Sequence, residues 1–176
     1  MSPRKIIIYL NIFGVFITLF FLAACSSNYD YDDFSFSVPA GYKTKEFESY
    51  TDKNLNAEYL LFTQKGHLYF QIFNKEIPSG SNLDQLFEDY LSQSEPEENH
   101  YQLVSQKAIQ VENRPAIEYI YRKFHGEPYV QIREMWIENN NQAYILFCSK
   151  PADSTSGAII PVAEECYKLS ESFHFK

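Results

Sequence analysis

The sequence predicts an α+β domain, a mainly antiparallel twisted sheet with helices on both faces. Three observations lead there. Between residues 101 and 149, four β-rich segments are joined by links of three or four turn-forming residues, and links that short force antiparallel neighbours. Two other stretches place their apolar residues at helical spacing, so helices accompany the sheet. One of the four segments is apolar on both of its faces, and a sheet of that kind needs cover above and below.

The chain opens with Arg4 and Lys5, an apolar run from Ile6 to Phe21, and then Leu22-Ala23-Ala24-Cys25. A positive start, an apolar stretch and a small-residue end follow the order of an export signal. The ending resembles the lipobox of bacterial lipoproteins, in which the peptide is cut before the cysteine and the new N-terminal Cys carries lipid. The resemblance implies a signal peptide over residues 1–24 and lipidation of Cys25. The thiol would take the diacylglyceryl group, and Ala23 and Ala24 would leave the backbone open to the peptidase. An uncleaved transmembrane helix is the competing reading, because Ile6 to Ala24 reaches the lower limit of about 17 residues for a span; the position of the cysteine favours processing. Residues 25–33 then read as the lipidated cysteine and a polar tether. Ser26 to Asp33, with Asp30, Asp32 and Asp33, would extend to about 27 Å at most. The domain proper is residues 34–176, with an expected radius of gyration of about 14–15 Å, so it is held close to the membrane.

Within the domain, Phe34-Ser35-Phe36-Ser37-Val38 alternates with period two and stops at Pro39-Ala40-Gly41, which reads as a strand ended by a turn. Lys43 to Asn56 is polar and reads as a loop. Glu58 to Thr63 and Leu68 to Phe73 flank Lys65-Gly66 and read as a hairpin. From Asn82 the period changes: Leu83, Leu86, Phe87, Tyr90 and Leu91 form one helical stripe, with Asn82 and Gln85 as its cap. Pro96 and the acidic trio Glu95, Glu97 and Glu98 end that helix in a solvated loop. The meander follows as Leu103–Val111, Ala116–Phe124, Tyr129–Glu138 and Gln142–Ser149. In its third strand Ile132 and Trp136 share a face with Glu134, while Met135 and Ile137 share the other with Arg133. A second helix is expected where Ile159, Val162, Ala163, Cys166 and Leu169 recur, with Pro161 in its first turn. Phe173 and Phe175 close the chain as a short extended piece.

This order carries Phe34-Ser35-Phe36-Ser37-Val38-Pro39-Ala40-Gly41-Tyr42 at the front. Glu112-Asn113-Arg114-Pro115-Ala116-Ile117-Glu118-Tyr119 stands in the middle, then Gln142-Ala143-Tyr144-Ile145-Leu146-Phe147, Pro151 and Ser172-Phe173. Together they resemble the Mog1/PsbP superfamily over nearly all of Phe34–Phe175, whose bacterial members include PsbP-like, DcrB-like and LpqN-like lipoproteins. Tyr42 stands where the superfamily usually has Trp, and Asn113 or Arg114 where it usually has a turn Gly. The resemblance implies an α/β/α sandwich and a non-enzymatic accessory or assembly role.

Charge and motifs narrow the chemistry. Lys+Arg 15 against Asp+Glu 23 gives a formal charge of −8, and loss of residues 1–24, which hold Arg4 and Lys5 and no acid, takes it to −10. Without a basic stripe there is no footprint for a nucleic-acid partner. No G-x-S-x-G elbow, no phosphate-cradling glycine loop and no paired histidine motif is present; His67, His100, His125 and His174 are scattered. No catalytic residue, cofactor or metal is therefore expected. Cys148 and Cys166 keep two readings, buried small-residue packing or, in an oxidising compartment, a disulfide. Phe 15 and Tyr 14 are unusually frequent. Most fit the sheet faces, while Tyr29, Tyr31, Tyr42, Tyr50, Tyr101 and Tyr129 fall in or beside expected loops, where they could form a recognition patch.

The expectation is a lipid-anchored extracytoplasmic lipoprotein on the plasma or outer membrane. Its partners would be membrane lipid, through the acylated N-terminus, and a membrane-proximal protein complex that it binds or stabilises without catalysis. A small-molecule or metal-binding lipoprotein, or an enzyme of unrecognised type, are the alternatives.

Overall fold

A computed structural model describes residues 26–52, 57–94, 100–124, 129–151 and 162–176. In chain order the elements are β1 (Ser27–Asp30), β2 (Phe34–Val38), β3 (Lys43–Asp52), β4 (Ala57–Lys65), β5 (Leu68–Glu76), α1 (Leu83–Ser94), β6 (His100–Val111), β7 (Arg114–Phe124), β8 (Val130–Asn139), β9 (Gln142–Pro151), α2 (Glu164–Glu171) and β10 (Phe173–Phe175). The larger sheet runs β3-β4-β5-β9-β8-β7-β6 and is antiparallel throughout. A smaller one runs β1-β2-β10.

The meander is set by its turns. Glu112 and Asn113 (φ 50° and 65°) link β6 to β7, and Asn140 and Asn141 (φ 51° and 61°) link β8 to β9. Two successive residues with positive φ match the right-handed twist of the flanking strands, and Asn tolerates that region through its own short polar side chain.

Each face of the large sheet has its own core. On one, Phe73, Tyr119, Trp136 and Ile145 meet Leu83, Leu86, Phe87, Tyr90 and Leu91 of α1. The Phe87 ring stacks on Tyr119 with centroids 3.6 Å apart. The helix starts where the sequence places it: the Gln85 N–H donates to Asn82 Oδ1 at 2.9 Å, and the Asn82 N–H donates to Gln85 Oε1 at 3.2 Å. This reciprocal cap satisfies two of the amides that a helix start leaves unpaired. On the other face Leu61, Phe70, Ile72, Met135 and Leu146 pack against Phe34, Phe36, Val38 and Phe173 of the small sheet, with Cys166 and Leu169 of α2 in the same cluster. Each fully buried Phe contributes about 1.5–3 kcal/mol by leaving water.

Four readings change. The stretch expected as a polar loop, Lys43 to Asn56, is largely the edge strand β3; its ladder to β4 holds it, and as an edge it needs no apolar alternation. Part of the expected tether is β1, whose Ser27 to Asp30 pair with Val38 to Ser35. The cover of the second face is a three-stranded sheet together with α2, where a helix was expected. That helix begins at Glu164. Ile159 and Pro161, and Pro96 with Glu95, Glu97 and Glu98, lie outside the described residues.

Candidate functional site

Cys25, the expected lipidation site, lies outside the described residues, and β1 begins two positions later at Ser27. Cys148 of β9 and Cys166 of α2 form a disulfide, S–S 2.03 Å with Cα atoms 5.8 Å apart, buried between the sheet and the helix. Of the histidines, His67 is exposed at the β4–β5 turn and His174 lies on β10; His125 and the side chain of His100 are outside the described residues. Among the described residues no group of three or more His, Cys, Asp or Glu could hold a metal ion.

The candidate aromatic patch divides. Tyr29, Tyr31 and Tyr42 are half-buried against the core under the small sheet. Tyr129 is buried, beside Phe124 and the Arg122 guanidinium, and Tyr101 is exposed on β6 against Tyr121. The side chain of Tyr50 is outside the described residues. The tyrosines singled out by their positions in sequence therefore do not form one patch: Tyr29, Tyr31 and Tyr42 pack under the small sheet, while Tyr101 and Tyr129 pack apart from them on the large sheet.

A cleft of about 270 Å³ opens between the β6–β7 turn, β8, α2 and β10. Its wall is a polar chain beginning at Arg133, which is 5% exposed. Arg133 Nε donates to Glu118 Oε1 at 2.8 Å, one terminal nitrogen donates to Ser170 Oγ at 2.7 Å, and the other lies 2.8 Å from Glu118 Oε1. The guanidinium also lies 4.3 Å over the Tyr167 ring. The Ser170 hydroxyl in turn donates to the Cys166 carbonyl at 2.8 Å. At the mouth, His174 Nδ1 is 3.0 Å from Glu112 Oε1, while the Phe175 N–H donates to Glu112 Oε2 at 3.0 Å. These bonds hold the Glu112 carboxyl below the usual carboxylate range, the hydrogen bond with His174 first among them.

Arg133 enters the cleft already neutralised by Glu118, and the Ser170 proton points at a backbone carbonyl, so this serine is not arranged as an activated nucleophile. The wall instead holds Tyr167, 37% exposed, and the Glu112–His174 pair in fixed positions. Aromatic and charged groups pre-positioned on a firm support suit recognition of another surface. The sequence carried a trace of this site in Arg133, a cation on the same face as Met135 and Ile137. It carried none of Ser170 or Glu112, which are 37 and 21 residues from Arg133 and join it only through folding.

Beneath α1 a second polar group is sealed. Glu134 is wholly buried; the Tyr121 hydroxyl donates to its Oε1 at 2.6 Å and the Trp136 indole N–H to its Oε2 at 2.7 Å. Burial raises its pKa to about 7 against the pull of those two bonds. Nearby, the Tyr119 hydroxyl donates to Asp84 at 2.6 Å, tying the helix start to the sheet. On the opposite face, Arg122 Nε and one of its terminal nitrogens, with Gln131 Oε1, are buried without a hydrogen-bond partner among the described residues.

No family model and no curated protein matches this chain. Solved structures match its fold. The solution structure of cyanobacterial PsbP (CyanoP) from Synechocystis sp. PCC 6803 is 14% identical with a TM-score of 0.63, over 87% of this chain and 94% of that one. The crystal structure of the Saccharomyces cerevisiae Ran-binding protein Mog1p is 9% identical with a TM-score of 0.56, over 86% of this chain and 96% of that one. At such identities the likeness concerns the fold, which is Mog1/PsbP-like as residues 34–175 led one to expect.

Proposed function

We propose that this protein is an extracytoplasmic lipoprotein, acylated at Cys25, whose Mog1/PsbP-like domain binds a membrane-proximal protein as a non-enzymatic accessory or assembly factor. The observation that carries the reading is the order of the first 27 residues: positive n-region, apolar run, Leu22-Ala23-Ala24-Cys25, and a strand that begins at Ser27. Nothing but Ser26 separates the candidate anchor from the folded sheet. The cleft supports the binding half of the proposal, since Arg133 is paired with Glu118 and His174 with Glu112, and its exposed aromatic element is the Tyr167 ring. One protein of this fold, Mog1p, is described as Ran-binding, so the architecture is compatible with a protein partner.

Each half has its own test. Cys25→Ala should abolish incorporation of labelled palmitate and move the protein from the membrane to the soluble fraction, whereas a high-salt wash should leave the unaltered protein in place. Palmitate labelling that survives the substitution refutes the anchor. For the partner, crosslinking in intact envelopes should capture a membrane-proximal protein whose yield falls several-fold in Tyr167→Ala; an unchanged yield moves the contact away from this cleft.

A further inference from the structure

The first strand alters what an anchor at Cys25 would do. Ser27 pairs with Val38, so the chain is fastened to the domain from that residue on, and the two Cα steps from Cys25 to Ser27 span at most about 7 Å. A thiol modified with lipid would therefore bring the surroundings of Val38 close to headgroup depth.

Those surroundings differ from the rest of the molecule. After Val38 the exposed Pro39, Ala40 and Gly41 lead into half-buried Tyr42 and exposed Lys43, and Gly41 takes a φ of +90° that lets the chain turn there. Lys65, at the tip of the β4–β5 hairpin, places its ammonium 5.3 Å over the Tyr42 ring, and Gln64 pairs with Lys43. Lys168 and Glu165 of α2 are close enough to Tyr42 to act on it electrostatically. Lys43, Lys65, His67 and Lys168 are all exposed. The acids here are Glu164, which meets Lys168 at 2.7 Å, with Glu165 and Glu171, which also act on Lys168. At the other end of β2 and β5 lie the exposed acids Asp30, Asp32, Asp33 and Glu76, with Lys176 paired to Asp30. In a chain of net charge −8, three exposed lysines and an amphipathic tyrosine stand at the end where the anchor arrives. Basic residues favour an anionic leaflet, and tyrosine favours the interfacial layer.

We propose that the end of the domain formed by Pro39 to Lys43 and the Lys65–His67 hairpin tip faces the membrane, with anionic phospholipid headgroups as its partner. This rests on acylation of Cys25. It leaves the Glu112–His174 mouth of the cleft, beside Ser35 at the other end of β2, turned away from the leaflet and open to a protein partner.

The test uses the full-length acylated protein in vesicles of phosphatidylethanolamine and phosphatidylglycerol, with an environment-sensitive fluorophore on His67→Cys or on Glu76→Cys. Labelling is done without reductant, so that Cys148 and Cys166 stay bridged. The label at position 67 should shift to the blue, lose quenching by aqueous iodide relative to detergent, and gain quenching by headgroup-labelled lipid. The label at 76 should stay open to iodide, and protection at 67 should weaken in vesicles of phosphatidylcholine alone. Protein that floats with the vesicles but shows both labels equally exposed, or both equally protected, overturns the orientation while leaving the anchor standing. Protein that does not float refutes the anchor and the orientation with it.

Discussion

A carboxyl group set among Phe87, Tyr119 and Trp136 has exchanged water for two hydrogen bonds, and the exchange is incomplete: Glu134 titrates near 7 instead of at the ordinary 4.5, because burial outweighs the donors Tyr121 and Trp136. Between those pH values the folded state holds a proton that the unfolded chain has released, so stability falls as pH rises through the interval. At about 1.4 kcal/mol for each pH step of one crossed in that interval, the loss is roughly 3 kcal/mol between pH 4.5 and pH 7. Glu134→Gln, whose amide can donate to Tyr121 while its oxygen accepts from Trp136, should flatten this slope and leave the variant the more stable at pH 8. Urea unfolding followed by the fluorescence of the single tryptophan at pH 5 and pH 8 measures it directly; a variant with the same slope as the unaltered protein would locate the titration elsewhere. In the sequence, Glu134 is visible as a polar residue on the face of Ile132 and Trp136. Its sealing by α1 is not, since that depends on a helix more than 40 positions earlier.

At the scale of elements, the disulfide is the covalent link between β9 and α2. It closes a loop with a sequence separation of 18, for which chain entropy alone gives about 3 kcal/mol of stabilisation. Cys166→Ala should lower the unfolding free energy by about that amount. Thiol titration of the denatured, unreduced protein should count neither Cys148 nor Cys166; two reactive thiols from that pair would show that they are packed but unbridged. Which elements were legible follows from burial. The α1 stripe and strands β7–β9 face a core, so Leu83, Leu86, Phe87, Ile132 and Trp136 carry its periodicity into the sequence. β3 and β1 do not. β3 is the edge of the large sheet and its described side chains are exposed or half-buried, while β1 is a short edge strand in which only Tyr29 packs inward. Both are held by backbone ladders to β4 and β2, and a backbone bond leaves no mark on side-chain pattern.

For the whole molecule, the consequence of the small sheet is that it joins the first described strand to the last. β2 lies between β1 and β10, the Lys176 N–H donates to the Asp33 carbonyl at 3.0 Å, and the Lys176 ammonium meets Asp30 at 2.8 Å. Phe173 is the buried centre of this closure. It is 2% exposed, stacks on Phe34 with centroids 4.8 Å apart, and meets Phe175 edge-on at 4.9 Å. Phe173→Ala should cost about 3–5 kcal/mol, the range for truncating a buried Phe. Because β2 has β10 on one side and β1 on the other, the damage should extend beyond the C-terminus: amide hydrogen exchange at Phe36 and Tyr29 should accelerate, while that of α1, on the opposite face of the large sheet, should follow only the global loss. Phe175→Ala, at a half-buried position, should cost much less and serves as the control. Equal costs at the two positions, or unchanged exchange in β1, would mean that the chain ends do not form one cooperative unit.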